Sequence, residues 1–431
     1  MLAFRAVDEL NARLRALRKP IRVGIIGSGS MGRGLVHQCA VTPGVACVAL
    51  ADVELERALA AVVAIGGEPA VVRTAQALDD AVARGAVGVT TDGSLVAECA
   101  AADVLVESSN AIGPAARFAL TALETGKDLV LMNSEIDLIF GPHLMRLAHA
   151  RGLAYTSCDG DQHGVLKRLL DELELWGFEL VMAGNIKGFL DRYANPTTIV
   201  PEADKRHLGY KMCTAYTDGT KLSIEMALLA NAVGLRVTTP GMEGPCATHV
   251  SQAPALYDLA QLRRDGPVAD YILGAEPGGG VFAVGYCDDP YQRDMMAYYK
   301  MGPGPFYVFY RPYHLCHVEA VRCIAEAHLN RLPLLEPRHG FRTNVYAYAK
   351  RDLRAGERLD GIGGYTCYGM IDNCEGGAHG GLPICLTEDV TLTRDIVRDR
   401  PILLSDVAYD EDSFEVSLFR RARYGEPVPS R

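Results

Sequence analysis

Nothing in this 431-residue chain gathers positive charge. Lys and Arg number 43 against 53 Asp and Glu, a formal net charge of -10, and no basic run breaks that balance. Nucleic acid and anionic membrane surfaces are therefore not expected partners, because binding them requires clustered cations to neutralise phosphates. Also missing is any apolar run near the roughly twenty residues that a membrane-spanning helix needs. Internal repeats and low-complexity tracts are absent. So is the paired C-x-x-C spacing of structural zinc sites: Cys367, Cys374, His379 and Cys385 gather near the C-terminus without it. Nor does the pattern assign a divalent ion to Asp159, Asp161 and Glu202, and no metal is expected.

What is present suits a well-packed protein of two or three domains, with 49% hydrophobic and 22% charged residues. Twelve cysteines are scattered through apolar runs such as "GVACVAL" and "AVRCIAEAHL". They read as buried thiols in a reducing compartment, so the cytoplasm is the expected location. The opening "MLAFRAVDELNARLRALRKP" is Arg-rich but carries Asp8 and Glu9. Its apolar spacing at Val7, Leu10, Leu14 and Leu17 predicts an amphipathic helix rather than a targeting peptide.

The informative stretch is "IRVGIIGSGSMGRGL", residues 21–35. A β-branched run ends at a glycine and is followed by apolar residues at helical spacing, which predicts strand, tight turn and helix. Gly27-Ser28-Gly29-Ser30-Met31-Gly32 is then a dinucleotide cradle. Gly27 makes the turn, Gly29 admits a pyrophosphate to the backbone, and Gly32 lets the helix pack closely on the strand. A next strand, "VACVALADV", ends at Asp52, about where a ribose-binding acid is expected. With no arginine directly behind it, Asp52 favours NAD, while Arg57 one turn later keeps NADP open. The competing readings are glycines that serve packing alone and a solvated strand-end acid.

Further strand and helix alternation through "ADVLVESSN", "GPAARFALTALETG" and "KDLVLMNSE" predicts an α/β fold with a doubly wound parallel Rossmann sheet over residues 1–160. Residues 161–311 change to longer mixed segments, expected to form an α+β substrate and catalytic domain. From "NVYAYAKRDLRAGERLDGIGGYTCYGM" onward short strands with glycine turns predict a small all-β module over 336–431.

Together, "IGSGSMG", "DVLVESSNAIG", "GKDLVLMNSEID", "EADKRHL", "DGTKLSIEMALLANAVGL", "GPGPFYVFYRPYHL" and "AKRDLRAGERLDGIGGY" resemble the homoserine-dehydrogenase-like oxidoreductases with a C-terminal SAF domain. That group includes the 1-deoxy-D-xylulose 5-phosphate reductoisomerase-like enzymes. The resemblance implies that the closing module is a SAF-like β-clip and that residues 312–335 return to pack on the first domain. It also implies that Ser108 and Asn133 join the cofactor site, and that the enzyme is a homo-oligomer. Asn133 is followed by Ser134 and Glu135, where homoserine dehydrogenases carry a lysine, and this leans toward the reductoisomerase-like branch. Gln162, His163 and Asn185 depart from that branch in turn.

The expected activity is NAD(P)-dependent hydride transfer to or from a small polyhydroxylated carbonyl compound or sugar phosphate, with or without skeletal rearrangement. A carbonyl that gains hydride also needs a proton donor, and lysines beside carboxylates can supply it. Lys221 and Glu225 share a helix face at one-turn spacing; the alternative is an exposed ion pair. Lys187 sits in a turn after a strand, and Lys211 lies within the apolar "YKMCTAY". Asp161, near Asp159, follows a strand leading out of the nucleotide domain, where it is either catalytic or a helix cap. Lys300, Arg311 and Tyr313 are expected to bind a substrate phosphate or carboxylate. Rival readings are a 1-deoxy-D-xylulose 5-phosphate reductoisomerase, a homoserine dehydrogenase, and a non-catalytic dinucleotide sensor.

Overall fold

The computed structural model describes residues 2–206, 208–374 and 380–425; His379 lies outside them. The chain divides into two units. One comprises Met1–Asp161, Leu315–Glu336 and Tyr424–Arg431, the other Gln162–His314 and Pro337–Arg423.

The first unit is organised by short strands that, the edge strand Pro69–Val71 apart, are largely buried on both faces, the pattern of a parallel sheet covered by helices. They are β1 (Ile21–Ile26), β2 (Val45–Ala51), β3 (Pro69–Val71), β4 (Val87–Thr90), β5 (Val104–Glu107), β6 (Asp128–Leu131) and β7 (Tyr155–Ser157). The sheet is seven-stranded with the order β3-β4-β2-β1-β5-β6-β7, and all its pairs are parallel. It is a doubly wound Rossmann sheet. Its strand order reverses between β1 and β5, and ligands in such sheets bind beyond the strand C-termini at that point. The helix Cys316–Asn330 packs on the helix Ser30–Val41 of this unit. A buried ionic knot fastens the returning segment: Asp128 accepts from Ala154 N at 2.9 Å, pairs with His328 at 2.9 Å and also holds Arg331.

In the second unit, β8 (Glu179–Lys187), β9 (Val268–Leu273), β10 (Val281–Tyr286) and β11 (Phe306–Arg311) form a four-stranded sheet in the order β11-β10-β8-β9. Val181, Met182, Ile186, Val268, Ile272, Phe282 and Val284 make its core. The helix Thr220–Val233 is buried from Thr220 to Ala232. It is packed by β9, by the helices Gln162–Leu175 and Tyr210–Thr217, and by β12 (Thr343–Ala349) and β14 (Cys367–Asn373), which pair antiparallel. A three-stranded sheet of β13 (Arg358–Asp360), β15 (Glu388–Leu392) and β16 (Val407–Ala408) follows. To these strands the chain adds a closing helix, Phe414–Tyr424, which buries Leu418, Phe419 and Ala422. Among the described residues no helix is long and apolar enough to cross a membrane.

Candidate active site

The glycine loop shows three different demands. Gly27 has φ +93°, and a Cβ there would lie 2.7 Å from Ser109 N. At Gly32 an added Cβ would sit 1.8 Å from the carbonyl oxygen of Gly27. At Gly29 it would meet nothing within 4 Å. The first two glycines are fixed by backbone packing; Gly29 instead leaves exposed backbone at the N-terminus of the helix Ser30–Val41, where first-turn N–H groups and the helix dipole favour an anion. This is the shape a dinucleotide's pyrophosphate requires, and the residues present fit it.

Asp52 braces the loop. Its Oδ2 accepts from Ser28 N at 2.6 Å and Ser28 Oγ at 2.8 Å, and its Oδ1 accepts from Glu54 N at 2.9 Å. Arg57 is held by Glu54 at 2.8 Å on an exposed face. The hydroxyl of Ser108 donates to Ile26 O and Gly27 O, both at 2.9 Å, tying the loop after β5 to the loop after β1. Asn133 caps the helix Ser134–Ala150 by accepting from Ile136 N, and its amide donates to Ala111 O at 2.7 Å. Ser30 is exposed and Met31 half-buried.

The sequence gives no hint of Glu107. It lies fully buried at the end of β5, one oxygen accepting from the backbone and hydroxyl of Ser109 and the other without a hydrogen-bond partner. Burial raises its carboxyl to about 7, against the opposing hydrogen bonds.

A different kind of site lies inside the second unit. Asp218, Lys221 and Glu225, at the start of the helix Thr220–Val233, are all buried, as is Lys350 just beyond β12. The burial of Lys221 and Glu225 rules out the exposed ion pair. Lys187, at the end of β8 and mostly buried, donates to Tyr216 O at 2.7 Å. Burial lowers its ammonium below the usual lysine range, while Glu225 and Asp218 pull it back toward the charged form. Asp218 is raised by burial against the opposing effect of Lys350, 2.8 Å away. On β8, where side chains alternate, Asn185 shares a face with Lys187, and its buried Oδ1 has no hydrogen-bond partner.

Not every expected residue joins this cluster. Lys211 is exposed and donates to Asp360 O at 2.7 Å. Its helix, Tyr210–Thr217, turns Cys213, Thr214 and Ala215 inward and leaves the first turn outside, so the apolar neighbours of Lys211 do not bury it. Asp161 directly precedes the helix Gln162–Leu175, and Asp159 accepts from Gly160 N at 2.9 Å. Glu202 pairs with Arg206 at 3.2 Å on an exposed helix face. The Arg311 guanidinium stacks 4.7 Å over the Tyr313 ring. Lys300 is exposed at a left-handed turn, φ +63°.

A Rossmann sheet with a glycine cradle in one unit and a lysine among buried carboxylates in the other are parts that oxidoreductase chemistry uses. Comparison with known proteins agrees: residues 160–320 match an oxidoreductase catalytic domain, the model of "Oxidoreductase DRL, catalytic domain". A 1-deoxy-D-xylulose 5-phosphate reductoisomerase from Thermus thermophilus is 30% identical over 116 residues, which is 27% of this chain and 30% of that protein. Among solved structures, a homoserine dehydrogenase from Thiobacillus denitrificans has TM-score 0.42 at 16% identity, covering 79% of this chain and 84% of that one. A myo-inositol dehydrogenase from Lactobacillus casei, in complex with NAD(H) and myo-inositol, has TM-score 0.30 at 20% identity, covering 44% of this chain and 53% of that one. The chain therefore spans about a third of the curated relative's length and about half of the inositol dehydrogenase's.

Proposed function

We propose that the protein is an NAD(P)-dependent oxidoreductase that reduces or oxidises a small polyhydroxylated carbonyl compound or its phosphate, with Lys187 as proton donor to the carbonyl oxygen. The observation that carries this reading is Lys187 itself, mostly buried, anchored on Tyr216 O and influenced by Glu225 and Asp218 within the matched catalytic domain. An ammonium whose affinity for its proton is lowered is a better acid near neutral pH. The bound nicotinamide would exchange hydride with the substrate carbon. Gly27, Ser28, Gly29, Ser30, Met31 and Gly32, with Asp52, Ser108 and Asn133, would hold the dinucleotide. Asp52 and the engagement of Arg57 by Glu54 support NAD over NADP. Lys221 and Glu225 support the proton path, and Arg311 and Tyr313, with Lys300 nearby in sequence, offer the cationic and aromatic groups for an anionic substrate.

In this reading residues 336–431 are a SAF-like module, the enzyme is a homo-oligomer, and its dispersed thiols suit the cytoplasm. The match to a reductoisomerase favours a second, narrower reading, in which a 1-deoxy-ketose phosphate is rearranged before reduction. The test is oxidation of NADH and NADPH with 1-deoxy-D-xylulose 5-phosphate and with aspartate semialdehyde, using wild type and K187M. Turnover that falls on the order of 10²-fold or more in K187M, with NADH affinity retained, is expected for a lost general acid. A branched product from the sugar phosphate selects the narrower reading. Tight NADH binding without turnover of any carbonyl compound would favour a dinucleotide sensor, and undiminished turnover in K187M would remove Lys187 from the chemistry.

A further inference from the structure

The turn that carries the acceptor of Lys187 is held from the C-terminal side of the second unit. Tyr216 O, bonded to Lys187, lies two residues before Asp218. Asp218 Oδ1 accepts from Thr220 N at 2.9 Å, which starts the buried helix. Its Oδ2 meets Lys350 Nζ at 2.8 Å, and the same ammonium donates to Gly364 O at 2.8 Å. Beside this pair, Gly369 N of β14 donates to Thr220 Oγ1 at 2.8 Å. Asp218 has no solvent exposure and Lys350 is 5% exposed, so neither charge has water in place of the other.

We propose that Lys350 is a positioning residue of the catalytic centre, keeping Asp218 charged and fixing the turn on which Lys187 rests, so that the C-terminal β segment is part of the active site. The proposal rests on the reading of Lys187 as proton donor. The groups acting on Lys187 are Glu225, Asp218 and Arg206; those acting on Asp218 are Lys350 and Thr220; and the Cys367 thiol also feels Lys350. Burial already favours the neutral form of Asp218. Without Lys350 the carboxyl takes up a proton, its attraction for the Lys187 ammonium is lost, and Lys187 gives up its proton at lower pH.

The experiment compares full-length K350M, K350R, D218N and K350M/D218N. The pH profile of kcat is one readout. The other is the NMR titration of the Lys187 ¹³Cε resonance, assigned by its loss in K187R, which does not depend on turnover. The expected result is a fall in kcat of about tenfold in K350M, with the Lys187 titration and the alkaline limb of kcat both moving down by about one pH unit. D218N should move them as far, the double variant no further, and K350R should retain the wild-type profile. The double variant leaves no uncompensated buried charge, so it remains informative should K350M fail to fold. A Lys187 titration that is unmoved or raised in the double variant would overturn the proposal. A titration that moves while the kcat limb stays put would overturn the proton-donor reading and leave the coupling of Lys350 to Lys187 standing.

Discussion

At the scale of the residue, neighbouring glycines of one motif make opposite demands. Gly32 excludes a methyl group for a reason internal to the fold, the 1.8 Å approach to Gly27 O, whereas Gly29 excludes none. G32A should therefore lower the melting temperature, with dinucleotide affinity lost as a consequence. G29A should leave the melting temperature within about 2 °C and weaken NADH binding about tenfold or more, because its methyl group stands where a pyrophosphate approaches the backbone. Thermal unfolding beside fluorescence titration with NADH separates the two. Loss of stability in G29A, or unchanged affinity, would contradict this account of the cradle. Such glycines are legible in a sequence because local spacing dictates them. Glu107, Asp218 and Lys350 are not: each acquires its character from burial and from partners that only the tertiary fold supplies. Lys211 shows the converse, an apolar sequence neighbourhood that does not bury its charge.

At the scale of the element, β1, β2, β5 and β6 are readable as short apolar runs and the helix Thr220–Val233 as a long apolar segment, while the half-exposed edge strand Pro69–Val71 carries no such pattern. The break of "PEADKRHLGYKMCTAY" into the helices Val200–Arg206 and Tyr210–Thr217 is less readable, because Gly209, which caps the second, lies within an otherwise helical pattern. What no local pattern displays is which helices meet. Gly34, on the cradle helix, faces His317 of the helix Cys316–Asn330 so closely that an added Cβ would lie 2.4 Å from the imidazole. Burial and the nearby His37 lower the proton affinity of His317, which favours the neutral ring needed for this packing. We expect G34A to destabilise the protein by about 1–3 kcal/mol, the range for overpacking. Most of that loss should return in G34A/H317A relative to H317A alone, since two residues in contact do not act additively. Denaturant unfolding of the four variants in a double-mutant cycle measures it, and strict additivity would show that the two helices accommodate the methyl elsewhere.

At the scale of the whole molecule, the buried carboxyls set how stability depends on pH. Burial lifts Glu107 to about 7, Asp137 to about 6 and Asp270 to about 6, in each case against hydrogen bonds that favour the anion. A carboxyl raised in the folded state contributes stability that is complete below its unfolded value and lost as pH rises through its folded value. For Glu107 the window runs from 4.5 to about 7, and for Asp137 and Asp270 from 3.8 to about 6. Asp103 and Asp406, lowered by their arginine partners Arg22 and Arg394, act in the opposite sense, and their contribution fades only as pH falls below the ordinary carboxylate range. The two effects place maximum stability on the acid side of neutrality. Unfolding midpoints should fall between pH 5 and pH 7, and the contribution of Glu107 is on the order of 3 kcal/mol. E107Q, neutral at every pH, should flatten the curve from about pH 5 to pH 7 and account for most of the slope above pH 6, whereas D137N should flatten it only below about pH 6. The slope of unfolding free energy against pH, measured in urea for wild type and both variants, reports the protons released on unfolding. If E107Q left the slope above pH 6 unchanged, Glu107 would already be ionised there in the folded protein, with solvent or a ligand reaching its second oxygen.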